Sequence, residues 1–132
     1  MKKSVLLLLA VLAGCAQADW KETTGQELVQ RQAAGEPMLV IDVRSPEEFA
    51  AGHVPGALNL PHDRLTGDEP QLKDWKQKPV VIYCRSGRRS ATAASVLEQQ
   101  GFSRLEHLSG DMQGWEQQGR PVARLSASLR RL

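Results

Sequence analysis

Little of the chain is cysteine, and none of it is strongly charged in one direction. Only two cysteines occur in 132 residues. One of them, Cys15, lies in the leader region, which leaves the body of the chain a single thiol, Cys84, and excludes an internal disulfide there. No cysteine and histidine cluster has zinc-ligand spacing, so no metal site is suggested, and a cofactor of any other kind is not expected either. The 17 basic residues nearly balance the 15 acidic ones. Without Lys2 and Lys3 the counts are equal, which argues against a nucleic-acid partner. The longest apolar run, Val5 to Leu12, is too short to span a bilayer comfortably. Internal repeats, low-complexity tracts and linkers are also missing, and the length suits one domain with one core.

The first residues read as a targeting segment over 1–18. Lys2 and Lys3 form a basic start, and Val5 to Leu12 an apolar centre. Two processing routes fit. Leu12-Ala13-Gly14-Cys15 resembles a bacterial lipobox, in which Cys15 would be lipidated. Ala16-Gln17-Ala18 fits cleavage before Asp19. The lipobox resemblance, with Ala16 after the cysteine, implies a lipoprotein of the outer membrane facing the periplasm. The other route gives a soluble periplasmic protein. The membrane is reached only through the lipid anchor of the first route.

From Asp19 onward, helix and strand signals alternate. Thr24 with Glu27 fits a capping box opening a short helix closed by Gly35. Met38 to Val43 is a compact apolar run, a buried strand. Ser45, Pro46 and Glu48 supply an N-cap, a proline at N1 and an N3 acid for a helix stopped by Gly52. Ala57 to Leu60 reads as a short strand, and Leu65, Leu72 and Trp75 mark a helix or helical turn. Val80 to Cys84 is the next strand, and Arg88 to Gln100 the next helix. Leu105 to Leu108 is a last strand, and Asp111 to Gln118 a final helix. Residues 123–132 form a basic tail, expected to fray. This alternation predicts an α/β domain over 19–122, with a mostly parallel sheet flanked by helices on both faces. Its crevice is expected at the carboxyl ends of the strands, where Asp42 and Cys84 could share one edge.

Chemistry concentrates between Val80 and Ser90. A strand that ends at Cys84 and turns at once into a helix sets the sulfur above several N–H groups at the positive helix end. Such settings lower a thiol pKa from about 8.5 into the range of about 3.5–7.5. Gly87 permits a backbone conformation in which the loop amides converge. Arg85 and Arg88 are expected at the mouth, attracting an anion. Arg89 either faces that anion or turns inward to Asp42 or Glu48 and braces the loop, the latter being preferred. Ser86 and Ser90 add hydroxyls, and Ser90 also fits a helix cap. A buried, inert cysteine is the plain alternative for Cys84.

Three segments together resemble the rhodanese family of sulfurtransferases. Cys84, Gly87, Arg89 and Ser90 match its Cys-x-x-Gly-x-Arg-Ser loop. Asp42 to Ala57 looks like its N-terminal signature, and Leu108 to Trp115 like its C-terminal one. The likeness covers roughly Thr23 to Val122, and three motifs are far more specific than one. It implies a rhodanese-like fold and a sulfurtransferase that moves a sulfane sulfur from thiosulfate or a similar anionic donor. The acceptor would be cyanide, a thiol or a protein, and the carrier a Cys84 persulfide. It also implies substrate contacts at Arg85, Ser86, Gly87, Arg88, Arg89 and Ser90, with Asp42, Arg44 and Glu48 in support. Asp111 departs from the pattern, standing where the family often has a second glycine, and is expected to alter the turn beside the pocket. His53 reads as a packing residue, and His107 carries no catalytic signal. A non-turnover persulfide carrier or binding module is the alternative. A phosphatase or arsenate reductase of this fold fits less well, because Cys84 to Arg89 spans Cys-x4-Arg where cell-cycle phosphatases have Cys-x5-Arg.

Overall fold

A computed structural model describes residues 20–126. The targeting segment with Cys15 and Ala18, and the last six residues of the tail, lie outside the described residues. The strands are β1 (Lys21–Thr23), β2 (Leu39–Asp42), β3 (Leu58–Asn59), β4 (Val80–Tyr83) and β5 (Leu105–Leu108). Between them run helices α1 (Gly25–Ala33), α2 (Pro46–Ala51), α3 (Arg88–Gln99) and α4 (Asp111–Gln117). The five strands form one parallel sheet in the order β1-β5-β4-β2-β3.

Strand side chains alternate between two faces, and the two halves of the core follow that alternation. Ile41, Val43, Val80, Ile82 and Cys84 meet Ala93, Ala94 and Leu97 of α3 on one face. Val40, Val81 and Tyr83 meet Leu28 of α1 and Met112 and Trp115 of α4 on the other. A sheet covered on both faces needs apolar residues at nearly every position of its central strands. Val-Val-Ile-Tyr of β4, buried throughout, meets that need.

The helix signals hold in detail. Thr24 accepts from the Glu27 N–H, and Ser45 with Glu48 forms a complete capping box. The Leu65–Trp75 stretch contains only a 3₁₀ turn over Pro70–Leu72. Two segments differ from expectation. Residues Lys21–Thr23 form an edge strand on β5 that no apolar alternation announced. The tail does not fray at its start. Ala123 pairs with His53 in an antiparallel bridge, and the Leu125 N–H donates to Ala50 O at 3.1 Å. Arg124 Nε donates to Ala51 O at 3.1 Å. The physical reason is that the end of α2 leaves carbonyls open, and the tail supplies the donors.

Parallel pairing puts Asp42 opposite Tyr83. The Tyr83 hydroxyl donates to Asp42 Oδ2 at 2.7 Å and accepts from the Val54 N–H at 3.1 Å. Burial, reinforced by the Asp42 charge, pushes the phenol pKa up. Tyr83→Phe leaves the Val54 donor unpaired and removes a donor from a buried carboxylate, and should cost about 1–3 kcal/mol. Urea unfolding at neutral pH measures it, with no change in the denaturant slope expected.

Candidate active site

The nucleophile candidate sits where β4 gives way to α3. Cys84 is buried, and its Sγ accepts the Gly87 N–H at 2.9 Å. Gly87 is the N-cap of α3 with a left-handed φ of 117°, a conformation that strains any residue with a Cβ. The amides of Arg88, Arg89 and Ser90 then open the helix with no intrahelical carbonyl to meet. Sulfur and helix end thus share one small anion-favouring space.

The loop is held from beneath by the start of α4. The Cys84 N–H donates to Asp111 Oδ1 at 2.9 Å. In return, Met112 N–H donates to Cys84 O at 2.9 Å and Gln113 N–H to Arg85 O at 3.1 Å. Asp111 has a left-handed φ of 54°, the only such non-glycine among the described residues. Aspartate tolerates that region better than most side chains. Its carboxylate also accepts from Ser90 Oγ at 3.0 Å and lies 3.0 Å from His107 Nε2. Burial works against the Asp111 charge, but His107, the Cys84 amide and Ser90 outweigh it and the pKa is lowered.

The three arginines of the loop divide. Arg89 makes a two-pronged pair with Glu48, at 2.6 and 2.9 Å. That pair, with the cap from Ser45, pulls the Glu48 pKa down to about 2. Arg89 therefore braces the loop against α2 and does not turn to Asp42. Arg85 and Arg88 are exposed, and neither forms an ion pair among the described residues. Ser86 is exposed beside them. Ser90, read from the sequence as a substrate contact or a helix cap, offers its hydroxyl to neither. It is fully buried, and the hydroxyl is spent on Asp111.

Asp42 and Arg44 form a second pair, well inside the molecule. Arg44 donates through its backbone N–H, Nε and Nη2 to the Asp42 carboxylate, and Nη2 also reaches Gly52 O at 2.7 Å. These two residues fasten the end of β2 to the turn after α2 and do not touch the loop arginines. His53 lies stacked on Phe49, with Nδ1 2.7 Å from Phe49 O, a packing role. A cleft of about 290 Å³ opens beside the loop, lined by Arg44, Glu48, Ala51, Gly52, Arg85, Met112, Gln113 and Glu116. Among the described residues no group of three His, Cys, Asp or Glu side chains gathers as a metal site.

Two site residues escaped the sequence reading of the loop. Asp111 reads from the sequence only as a missing glycine, and His107 as a histidine without a catalytic signal. Both become visible when the turn at Gly110 swings the start of α4 under Cys84.

Comparison with known proteins places this geometry. The model of the Rhodanese-like domain matches residues 24–118. A sulfurtransferase of Allochromatium vinosum is 40% identical over 101 residues, spanning 76% of this chain and 92% of that protein. An uncharacterised Synechocystis protein is 36% identical over 101 residues, which are 76% of this chain and 53% of its own. A crystal structure of a thiosulfate sulfurtransferase from Pseudomonas aeruginosa superposes with a TM-score of 0.73 at 26% identity. It covers 80% of this chain and 20% of that one.

The Glu48–Arg89 pair carries a pH signature. A carboxylate whose folded pKa is depressed stabilises the fold above its unfolded pKa, and that support is lost as pH falls through the folded value. Arg89→Met should therefore destabilise the protein by about 1 kcal/mol at pH 7, a discounted figure for a partly exposed pair. The difference from wild type should shrink between pH 4.5 and about 2. Urea unfolding of both proteins across that window checks it.

Proposed function

Because this chain belongs to the rhodanese-like family of sulfurtransferases, we propose that Cys84 carries a sulfane sulfur from an anionic donor such as thiosulfate to a thiophilic acceptor. The observation that carries the reading is the Cys84 sulfur set against the Gly87 amide at the opening of α3.

The step runs as a double displacement. The Cys84 thiolate attacks the outer sulfur of thiosulfate. A new S–S bond forms at Cys84, the S–S bond of the donor breaks, and sulfite leaves with the electron pair. An acceptor then attacks the outer sulfur of the persulfide. With cyanide the product is thiocyanate, and the Cys84 thiolate is regenerated. No net oxidant is consumed. The open amides of α3 and the charges of Arg85 and Arg88 favour the negative charge that builds during the first displacement. A base is not needed when the attacking group is already the anion.

Loop length supports sulfur over phosphorus. Four residues separate Cys84 from Arg89, and Arg89 is committed to Glu48. A transferring phosphoryl group needs donors around three equatorial oxygens, and this loop keeps its third arginine out of that ring. A non-turnover persulfide carrier uses the same first displacement and differs only in lacking a freely exchanging acceptor.

Incubating the protein with thiosulfate should raise its intact mass by one sulfur atom, and added cyanide should remove it with release of thiocyanate. Cys84→Ser should abolish both while keeping the fold. Persistent turnover in that variant would end the persulfide mechanism. Delivery to the periplasm through Cys15 belongs to the same proposal. Fatty-acid labelling with membrane fractionation tests it, with label expected in the wild-type protein and none in Cys15→Ser.

A further inference from the structure

A carboxylate lies in the floor of the nucleophile loop, and the sulfur-transfer scheme above gives it no task. Asp111 is 2% exposed. Its Oδ1 accepts from the Cys84 N–H at 2.9 Å and from Ser90 Oγ at 3.0 Å. Its Oδ2 is 3.4 Å from where a Cβ on Gly87 would stand. A negative charge at this place would oppose both a thiolate above it and an anionic donor arriving there. The opposition is answered by one neighbour. His107 Nε2 lies 3.0 Å from each oxygen of Asp111, and its Nδ1 lies 2.9 Å from Glu22 Oε1 on β1.

We propose that Asp111 and His107 form a positioning pair for the nucleophile: the carboxylate fixes the Cys84 backbone, and the imidazolium cancels that carboxylate's charge beneath the incoming anion. The inference rests on the sulfur-transfer reading only for the identity of that anion.

Three observations converge on it. First, the aspartate is kept at a left-handed φ of 54°, where glycine would be unstrained. Glycine would leave the Cys84 amide, the Ser90 hydroxyl and the His107 ring without their shared acceptor. Second, the histidine is fixed on every side. Its ring stacks on Trp20 at 4.7 Å, Asp111 of α4 faces one nitrogen, and Glu22 of β1 faces the other. Glu22 is itself held by Ser109 Oγ at 2.8 Å. Both ring nitrogens thus meet carboxylates, an arrangement that only the doubly protonated ring satisfies as a donor twice over. Third, burial disfavours the charged ring, yet Asp111 and Glu22 outweigh it and the His107 pKa is raised. The groups facing Asp111 are Cys84, Gly87, Ser90 and His107, and among them His107 alone is a cation.

The consequence is a charge step beneath Cys84. Below the raised pKa of His107 the pair is neutral. As pH rises through it, the floor of the loop gains one negative charge while the backbone contact to Cys84 remains.

The test alkylates Cys84 in the full chain with neutral iodoacetamide and anionic iodoacetate, from pH 5.5 to 9.5, reading the site by peptide mass. The ratio of the two rates removes thiol ionisation and leaves the local field. In the wild-type protein the iodoacetate to iodoacetamide ratio should fall about tenfold through a step above about pH 6.5, the effect of one unit charge across a partly screened gap. In His107→Gln the ratio should be low at all pH values. In Asp111→Asn, which keeps an acceptor for Cys84 and Ser90 and tolerates the left-handed backbone, the ratio should lie above wild type at every pH and its step should move to lower pH, because Glu22 still faces the ring. A flat wild-type ratio, a step that survives in His107→Gln, or a step that stays at the wild-type pH in Asp111→Asn overturns the pair. Should His107→Gln fail to fold, ring nitrogen NMR of His107 decides, its titration moving to lower pH in Asp111→Asn if the pair exists and staying put if it does not. Neither readout uses sulfur transfer. A step in alkylation without thiosulfate turnover would reject the proposed function and keep the pair, and turnover without the step would do the reverse.

Discussion

A chain that leaves a buried strand and enters a helix within four residues must find partners for the backbone groups of the turn, and the start of α4 provides them. The carbonyls of Cys84 and Arg85 are taken by the amides of Met112 and Gln113, and the Cys84 amide by the Asp111 carboxylate. Buried backbone groups left unpaired would cost more than any single contact in the site returns. The rest is arranged to make this exchange possible. Parallel pairing of β5 with β4 brings the end of β5 level with Cys84, and the left-handed residues Gly110 and Asp111 turn α4 beneath it. The two helix N-termini then serve opposite purposes. That of α4 is spent on holding the loop, and that of α3 is left open toward the sulfur.

The charged residues around the loop follow from the same economy. Asp42 with Arg44 and Glu48 with Arg89 are closed pairs with several hydrogen bonds each. Arginine suits both places, because its planar fork meets a carboxylate with two donors at once where a lysine would offer a point charge. Each pair ties one shoulder of the crevice, the first at the end of β2 and the second between α2 and α3. Arg85 and Arg88 are left outside these pairs at the rim. Positive charge is thereby left uncommitted on the exposed side of the loop, while the frame beneath is electrically settled.

Much of the fold was legible because it follows local rules. The buried runs at Met38–Val43 and Val80–Cys84, the Ser45 capping box and the stop at Gly52 each state their structure within a few residues. The loop was legible as well, since Cys84, Gly87 and the arginines keep fixed spacing on a strand-to-helix turn. What stayed hidden depends on distance in the chain. Strand β1 is three polar residues, and only its pairing with β5 makes it a strand. Ser90 reads as a cap until the αL start of α4 brings Asp111 beneath it. His107 and Asp111 are four residues apart across a strand end and a tight turn, where neither the helical nor the strand period applies. The route of the tail along α2 leaves no local mark, since its donors are backbone groups that every residue carries.

That route bears on how the protein is handled. Helix α2 is six residues long, too short to hold itself together. Its last carbonyls are met by His53, Arg44, Arg124 and the Leu125 amide. Residues 123–125 are thus a splint on the helix that presents Glu48 to Arg89. An affinity tag or fluorescent partner fused close behind Leu125 pulls on that splint, and a tether of several flexible residues is what keeps the pull from reaching the nucleophile loop.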